Sequence, residues 1–352
     1  MSSPQERPIR VLMAAGQANF LVGGGANVQL QQTRHHLPEF GVTTELFDPW
    51  RAYTREEFDL VHIFGAHLNT LDLAERLADL GFPLVVSTIF FTRRGPLFMR
   101  FTRGMERWSR KVVGGIITSY GSSAAVCNLA RAVLPNTSEE AAKVIRGLGI
   151  TAAKVTVIPN GVEERFAKAS PDLFVEKYGL RDFILSVGHI GSYRKNMLNL
   201  IKALEGVDTP AVIIGKIFDN AYARQCREAA KRVPNLTLLG GLEHDDPLLA
   251  SAYAACKVFA LPAFFETPGI AAMEAALGGA SVAITPYGGT KDYFGGMVEY
   301  VEPGNPADIR RGIEAALSGG GQPGLKQHIL DNYLWREVAR KTAAVYRRVV
   351  SE

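Results

Sequence analysis

From one end to the other, the chain alternates short runs rich in β-branched residues with stretches of helical periodicity, and few folds accommodate that pattern. Apolar runs of four to eight residues bounded by turn residues read as buried strands. Helices between them return the chain across the sheet, so that successive strands lie parallel. Strands are expected near 10–14, 44–47, 60–64, 84–89, 131–134 and 154–158, and again near 183–187, 211–214, 236–239, 258–261, 282–285 and 299–301. The expected helices include 71–80, 138–148, 197–204, 221–232, 247–255, 268–277 and 306–317, followed by one long helical pattern over 325–350.

At 352 residues the chain suits two domains. Pro159, Asn160 and Gly161 punctuate it where the first series of strands ends, which places the boundary near 160–171. The expected organisation is an N-terminal Rossmann-like domain over 1–165, a second over 166–330, and a terminal helix over 331–352 packing back on the first. The fold class is α/β, with two doubly wound parallel sheets whose strand ends face a central cleft, where ligands of such folds bind.

The bulk properties exclude several classes. A net charge of +4 is too mild to argue for nucleic acid. Cys127, Cys226 and Cys256 are odd in number and far apart, so neither a disulfide framework nor a zinc ribbon is indicated. Residues 1–10 lack the apolar core of a signal peptide, and the weakly polar stretch 112–127 falls short of the about 20 apolar residues of a membrane span. A cytoplasmic protein is expected.

The chemistry concentrates in residues 258–289. An apolar strand runs into Phe264-Phe265-Glu266, and Thr267 and Pro268 are expected to cap and open a helix. The free N–H groups of Gly269, Ile270 and Ala271 would then favour a phosphate, and Gly269 would let a ligand approach the backbone. Glu266 lies before this helix start and Glu274 about two turns inside it. One carboxylate can face a sugar and the other a ribose, with phosphates between. An isolated pair at this spacing is usually two surface acids. Here the helix is apolar on most faces, and a buried glutamate needs a partner.

The segment PAFFETPGIAAMEAALGG resembles the E-x7-E motif of the retaining GT-B glycosyltransferases of family 4, also called glycosyltransferase group 1. The resemblance extends to Gly23-Gly24-Gly25-Ala26, to Leu134-Pro-Asn-Thr-Ser, to Val157-Ile-Pro-Asn-Gly-Val, to Ser186-Val-Gly-His with Arg194-Lys195-Asn196, and to Thr290-Lys-Asp-Tyr-Phe. It implies a GT-B fold and transfer of a sugar from a UDP- or GDP-sugar with retained anomeric configuration. It also implies that Lys195 and Arg194 neutralise the donor diphosphate after Gly188. His189 stands where the family pattern has arginine, and Asn196 where it has glycine. The loop carrying Gly24 and Gly25 would lie against the donor diphosphate and sugar. That loop does not fit the G-x-G-x-x-G fingerprint of dinucleotide enzymes. A diphosphate held by cations and helix N–H groups needs no divalent ion, so no cofactor or metal is expected. The details resemble members that build bacterial surface polysaccharide, which implies a glycan or lipid-linked acceptor.

Two further features belong to the first half. His62 and His67 lie near a strand end and are candidate acceptor contacts. Residues 93–111 carry seven basic residues and one acid, among them Arg93 and Arg94, with Leu97, Phe98, Phe101, Met105 and Trp108 at near-helical spacing. This reads either as a helix lying on an anionic membrane, on its inner face, or as a solvated amphipathic helix packed on its domain. Alternatives to transfer are a sugar-nucleotide epimerase of the same fold and a non-catalytic sugar-nucleotide or glycan-binding module.

Overall fold

The structure is a computed structural model and describes residues 7–16, 25–109, 117–319 and 324–352. The chain divides into two compact units. One comprises Met1–Gly161 with Trp335–Glu352, and the other Val162–Leu334.

The first unit holds a parallel sheet of β1 (Ile9–Ala15), β2 (Val42–Leu46), β3 (Leu60–Phe64), β4 (Leu84–Ser87) and β5 (Ala132–Leu134), in the order β2-β1-β3-β4-β5. Every residue of β3 and β4 is buried, as expected of strands covered on both faces. The order reverses between β1 and β3, the kind of position beside which ligands of such sheets bind. The helix Trp335–Ser351 completes this unit. Its Tyr346 is buried against β3, and Arg336 pairs with Glu39.

The second unit has six parallel strands, β6 (Phe183–Val187), β7 (Ala211–Ile214), β8 (Leu236–Leu239), β9 (Cys256–Leu261), β10 (Ser281–Ile284) and β11 (Glu299–Tyr300). Their order is β11-β10-β9-β6-β7-β8, which reverses between β6 and β9. Alternate strand residues feed two cores. Phe183, Leu185, Val212, Ile214, Phe259 and Leu261 pack on one face, and Ile184, Ala211, Ile213, Val258 and Ala260 on the other. Each fully buried Val, Leu, Ile or Phe side chain among them contributes about 1.5–3 kcal/mol through lost apolar surface.

Three elements away from the candidate site depart clearly from expectation. Residues 154–158 form no strand. Thr156 N donates to Val133 O and Ile158 N to Pro135 O, but Pro135 has no N–H to return, and the ladder reduces to a bridge between Val133 and Val155. Strand β4 stops at Ser87 because Ile89 turns the chain with φ +45°. The pattern over 325–350 is two helices, Leu325–Asn332 and Trp335–Ser351. Between them Leu334 bridges Val162, and Tyr333 O accepts from Val162 N.

Candidate functional site

The reversal of strand order in the second unit locates the site. The loop after β6 and the loop after β9 leave neighbouring strands and meet, Phe264 N donating to Arg194 O at 2.9 Å, and they carry Arg194-Lys195 and Glu266 respectively. Lys195 Nζ lies 2.6 Å and Arg194 Nη1 3.0 Å from Glu266 Oε1, and the Arg194 guanidinium also donates to Phe265 O at 3.2 Å. Glu266 is buried, with 6% exposure. Burial would raise the pKa of its carboxyl, but Lys195 and Arg194 outweigh this and hold it below the usual carboxylate range. The group is therefore an anion sharing two cations.

Backbone conformations explain the residue choices around it. Asn196 has φ +56°, and its side chain donates to Pro262 O at 2.8 Å and Pro303 O at 2.6 Å. Asparagine enters the left-handed region more readily than residues other than glycine, which accounts for its place where the family pattern has glycine. A Cβ on Gly188 would come within 2.9 Å of Met197 and 3.3 Å of the Lys195 side chain, so glycine there lets the lysine lie across the strand end.

The helix expected from Pro268 starts later. Thr267 does not cap it. The Thr267–Pro268 bond is cis, Gly269 is the N-cap with φ +87°, and the helix is Ile270–Gly278. A residue with a side chain is strained at that φ, so the glycine rather than the threonine sets the entry. The first-turn N–H groups still begin at the same loop as Glu266.

Glu274 is buried within this helix, and His244 Nε2 lies 2.8 Å from its Oε1. His189 is exposed after β6, with its ring 5.3 Å from that of Phe218. Partial burial and the neighbouring Lys195, Lys216 and Arg194 lower its pKa. Lys216, exposed after β7, was not anticipated. Its signal was a Gly-Lys pair at a strand's carboxyl end.

In the first unit, His62 is a core residue. It is 1% exposed, with Nδ1 2.6 Å from Tyr346 Oη and Nε2 3.0 Å from Ser87 Oγ, which removes it from any acceptor. Burial drives its pKa down to about 3. His67 is exposed at the carboxyl edge, where it opens the helix Leu68–Asp79. Gly25 begins the helix Gly25–His36, and Gly24 lies outside the described residues. Ile89 was also not anticipated. Glu140, buried, accepts from Thr88 Oγ1 and from Phe90 N at 2.7 Å, and so clamps both neighbours of the left-handed Ile89. The helix Pro96–Ser109 buries Met99 and Glu106, and it exposes Leu97, Phe98, Phe101, Met105 and Trp108 beside Arg100 and Arg107. Arg93 and Arg94 precede it, both exposed, while Arg110 and Lys111 lie outside the described residues.

Both halves match profiles of known families. The one described as "Glycosyl transferase 4-like domain" matches residues 8–161, and the one described as "Glycosyl transferases group 1" matches 174–332. The chain belongs to the group 1 glycosyltransferases. An uncharacterized glycosyltransferase of Methanocaldococcus jannaschii is 28% identical over 214 residues, covering 55% of this chain. The match spans about half the length of that relative, 54%. Sucrose-phosphate synthase of Thermosynechococcus elongatus superposes with a TM-score of 0.77 at 15% identity, covering 98% of this chain and 100% of its own. Anabaena HepE, solved with UDP and glucose, gives 0.70 at 16% identity over 97% and 100%. The fold of this group 1 glycosyltransferase is thus GT-B, built of two parallel-sheet α/β units.

Among the described residues, no group of three or more His, Cys, Asp or Glu side chains is placed to hold a metal ion. The cations Arg194, Lys195 and Lys216 converge on the carboxyl edge of the second sheet, where they can hold a diphosphate beside a buried carboxylate.

Proposed function

We propose that this chain transfers a hexosyl group from a nucleoside diphosphate sugar to a hydroxyl of a glycan or lipid-linked acceptor, with retention at the anomeric carbon. The observation that carries the reading is the Arg194–Lys195–Glu266 cluster at the reversal of strand order. The anomeric C–O bond to the diphosphate breaks, and negative charge grows on the leaving oxygens. Lys195 and Arg194 are fixed beside that position and stabilise the charge as it develops. When the diphosphate takes the cations, Glu266 is released to orient the sugar hydroxyls. Glu274 serves the ribose end, and the turn from Thr267 through Gly269 to Ile270 receives the phosphates. The arrangement needs no divalent ion, so chelation should leave transfer intact. Anabaena HepE, a structural neighbour, was solved with UDP-glucose, which supports a nucleotide-sugar donor here.

In the first unit, Gly24 and Gly25 remain the donor-loop candidates that the family resemblance implies, and His67 and Ile89, on the loops after β3 and β4, are the candidate acceptor contacts. The exposed face of Pro96–Ser109 rests on an anionic leaflet, where its apolar residues enter the interface and its arginines meet headgroups. Among the described residues no helix is long and apolar enough to cross a membrane.

The test is release of nucleoside diphosphate from a panel of UDP-, GDP- and ADP-sugars with and without lipid-linked acceptors. Release dependent on acceptor and abolished by Lys195→Ala supports transfer. A new sugar-nucleotide isomer formed without acceptor would instead make the chain an epimerase, and binding without turnover a carrier module.

A further inference from the structure

Trp50, in the first unit, is 93% exposed, the most exposed large apolar side chain among the described residues. Tryptophan is on average highly buried, and one exposed on a loose loop would mean little. The loop that carries it, between β2 and β3, is fixed from within. Trp50 N donates to Asp48 Oδ1 at 2.9 Å, Asp48 N to Tyr53 Oη at 2.9 Å, and Thr54 N to Glu57 Oε1 at 2.8 Å. The Tyr53 ring lies 5.5 Å from that of Phe47 and 5.9 Å from that of Phe58, with the Arg51 guanidinium 4.8 Å over it. Arg51 also pairs with both Glu45 and Glu57. Exposed ion pairs add little to stability. What these two do is hold a planar guanidinium and two carboxylates in fixed orientations beside the indole's place in the chain.

The neighbouring surface is grooved and polar. Arg10, Glu45, Arg51 and Glu57 line an open groove of about 350 Å³ together with Thr43 and Thr44 of β2, the edge strand of the first sheet. Its apolar lining is Phe58, itself buried. The same two threonines line a second groove, of about 670 Å³, with Gln31, Gln32, Arg34 and His35 of the helix Gly25–His36. The two grooves thus meet at β2, and each has the volume of a small-ligand site, about 300–1,000 Å³. The chemistry selects the occupant. In the first groove two carboxylates balance two guanidinium groups, which leaves no net charge to attract a phosphate. An acyl chain finds no apolar wall there. Neighbouring hydroxyls do fit: carboxylates accept from them, and guanidinium groups and threonine hydroxyls donate to them. The apolar face of a sugar ring can in turn cover an exposed indole.

We propose that the first unit carries a glycan-binding site of its own along β2, where Trp50 stacks on a sugar ring and Glu45, Arg51 and Glu57 hold sugar hydroxyls, so that a neutral glycan is anchored by residues other than the Arg194–Lys195–Glu266 cluster. The proposal rests on the reading of the acceptor as a glycan. It is tested by calorimetry with neutral α-glucan, β-glucan, mannan and galactan hexasaccharides and the matching disaccharides. Wild type should bind at least one hexasaccharide about 10-fold more tightly than its disaccharide, a difference of about 1.4 kcal/mol. Trp50→Ala and Arg51→Ala should lose that gain, and Trp50→Phe should keep part of it. Circular dichroism checks folding, which the exposed Trp50 side chain does not support even if Arg51→Ala loosens the loop. Fluorescence locates the contact, because Trp335 is buried and the third tryptophan is Trp108. In Trp108→Phe the glycan should still shift tryptophan emission, and adding Trp50→Phe should abolish the shift. Full hexasaccharide affinity in folded Trp50→Ala or Arg51→Ala overturns the proposal, as does a wild type that binds none of the four glycans. Nucleoside diphosphate release separates the two readings. Transfer to a glycan with no Trp50-dependent binding would sink the groove alone, whereas Trp50-dependent binding with no transfer to any glycan would defeat the acceptor reading and leave the groove standing.

Discussion

The carboxylate of Glu266 lies 2.6 Å from the ammonium of Lys195, buried at the point where the second sheet reverses its strand order. The ion pair lets both groups stay charged without leaving a charge buried and unpaired. On the proposed reading, a diphosphate would take Lys195 from the carboxylate and leave Glu266 to orient the sugar.

Removing one member should therefore affect turnover more than the loss of a surface contact would. Lys195→Ala is expected to lower turnover by about 10²–10³, as for one electrostatic stabiliser, and to leave Glu266 paired with Arg194 alone. Glu266→Gln should lower turnover while leaving binding of the bare nucleoside diphosphate nearly unchanged, because that ligand has no sugar. Steady-state rates, diphosphate titrations and melting curves on both variants check this. Full transfer rates in both would end the assignment of this cluster to catalysis.

The exposed face of Pro96–Ser109 predicts a separable membrane function. Replacing Phe98, Phe101 and Trp108 by serine removes three exposed aromatic side chains. Sedimentation with vesicles containing anionic lipid should fall, and donor binding should not change. Sedimentation equal to wild type would leave this helix a solvated amphipathic surface.

His62 predicts an acid sensitivity of the first unit. Its folded pKa of about 3 lies below its ordinary 6.5, so below pH 6.5 the unfolded chain binds a proton that the folded chain refuses. Stability from this group is complete above pH 6.5. It should then decline by about 1.4 kcal/mol per pH unit as the pH falls toward 3. His62→Gln preserves polar contact with Tyr346 and Ser87 without titrating. Denaturant titrations at pH 7, 6, 5 and 4 should show a shallower decline in the variant, and parallel declines would refute the burial argument.

Where local pattern and tertiary environment agreed, the fold was legible in the sequence. Strands β3, β6, β7 and β8 fall on the expected residues because each is an apolar run closed by glycine or a polar turn. The break at Tyr333–Leu334 was not legible. The helical pattern runs through it without glycine or proline, and only pairing of Leu334 with Val162, far away in sequence, ends the helix. In the candidate site, the clustering of Lys195, Arg194 and Glu266 was legible because a motif carries them. Thr267 misled as a cap because the choice between it and Gly269 depends on a backbone angle that composition does not encode. His62 misled because it sits mid-way along β3, and a polar residue in an apolar run reads alike whether it faces a ligand or, as here, the helix that returns from the far end of the chain. Lys216 comes near His189 only through the pairing of β7 beside β6, which local sequence does not show.

Ile89 tests whether backbone strain in the first unit serves a ligand. A β-branched residue at φ +45° is strained by about 1–3 kcal/mol, and Glu140 holds the residues on either side. Ile89→Gly relieves the strain at the cost of about 0.5–1 kcal/mol of glycine entropy and the contacts of a half-buried side chain. The melting temperature should hold or rise while transfer slows. A lower melting temperature with unchanged transfer would make Ile89 a packing residue.

His189 predicts proton uptake on donor binding. In the free site, burial and three nearby cations hold its pKa below the ordinary value, so the imidazole is neutral at pH 7. A diphosphate reverses the sign of the surroundings. It neutralises Lys195, Lys216 and Arg194 and favours the imidazolium, raising the pKa in the complex. A group whose pKa rises on binding takes up a proton wherever the pH lies between its free and bound values. Affinity should therefore fall as the pH rises through the bound-state pKa. Calorimetry of UDP or GDP binding in two buffers of different ionisation enthalpy should give apparent enthalpies that differ by the protons taken up. His189→Arg restores the family's permanent charge, and should remove the buffer dependence and flatten the affinity between pH 6 and 8.5. His189→Ala should also remove the uptake but bind more weakly at the lower pH. Identical enthalpies for wild type in both buffers, with affinity flat across that range, would place His189 outside the diphosphate site and leave Lys216 as the cation that replaces the missing arginine.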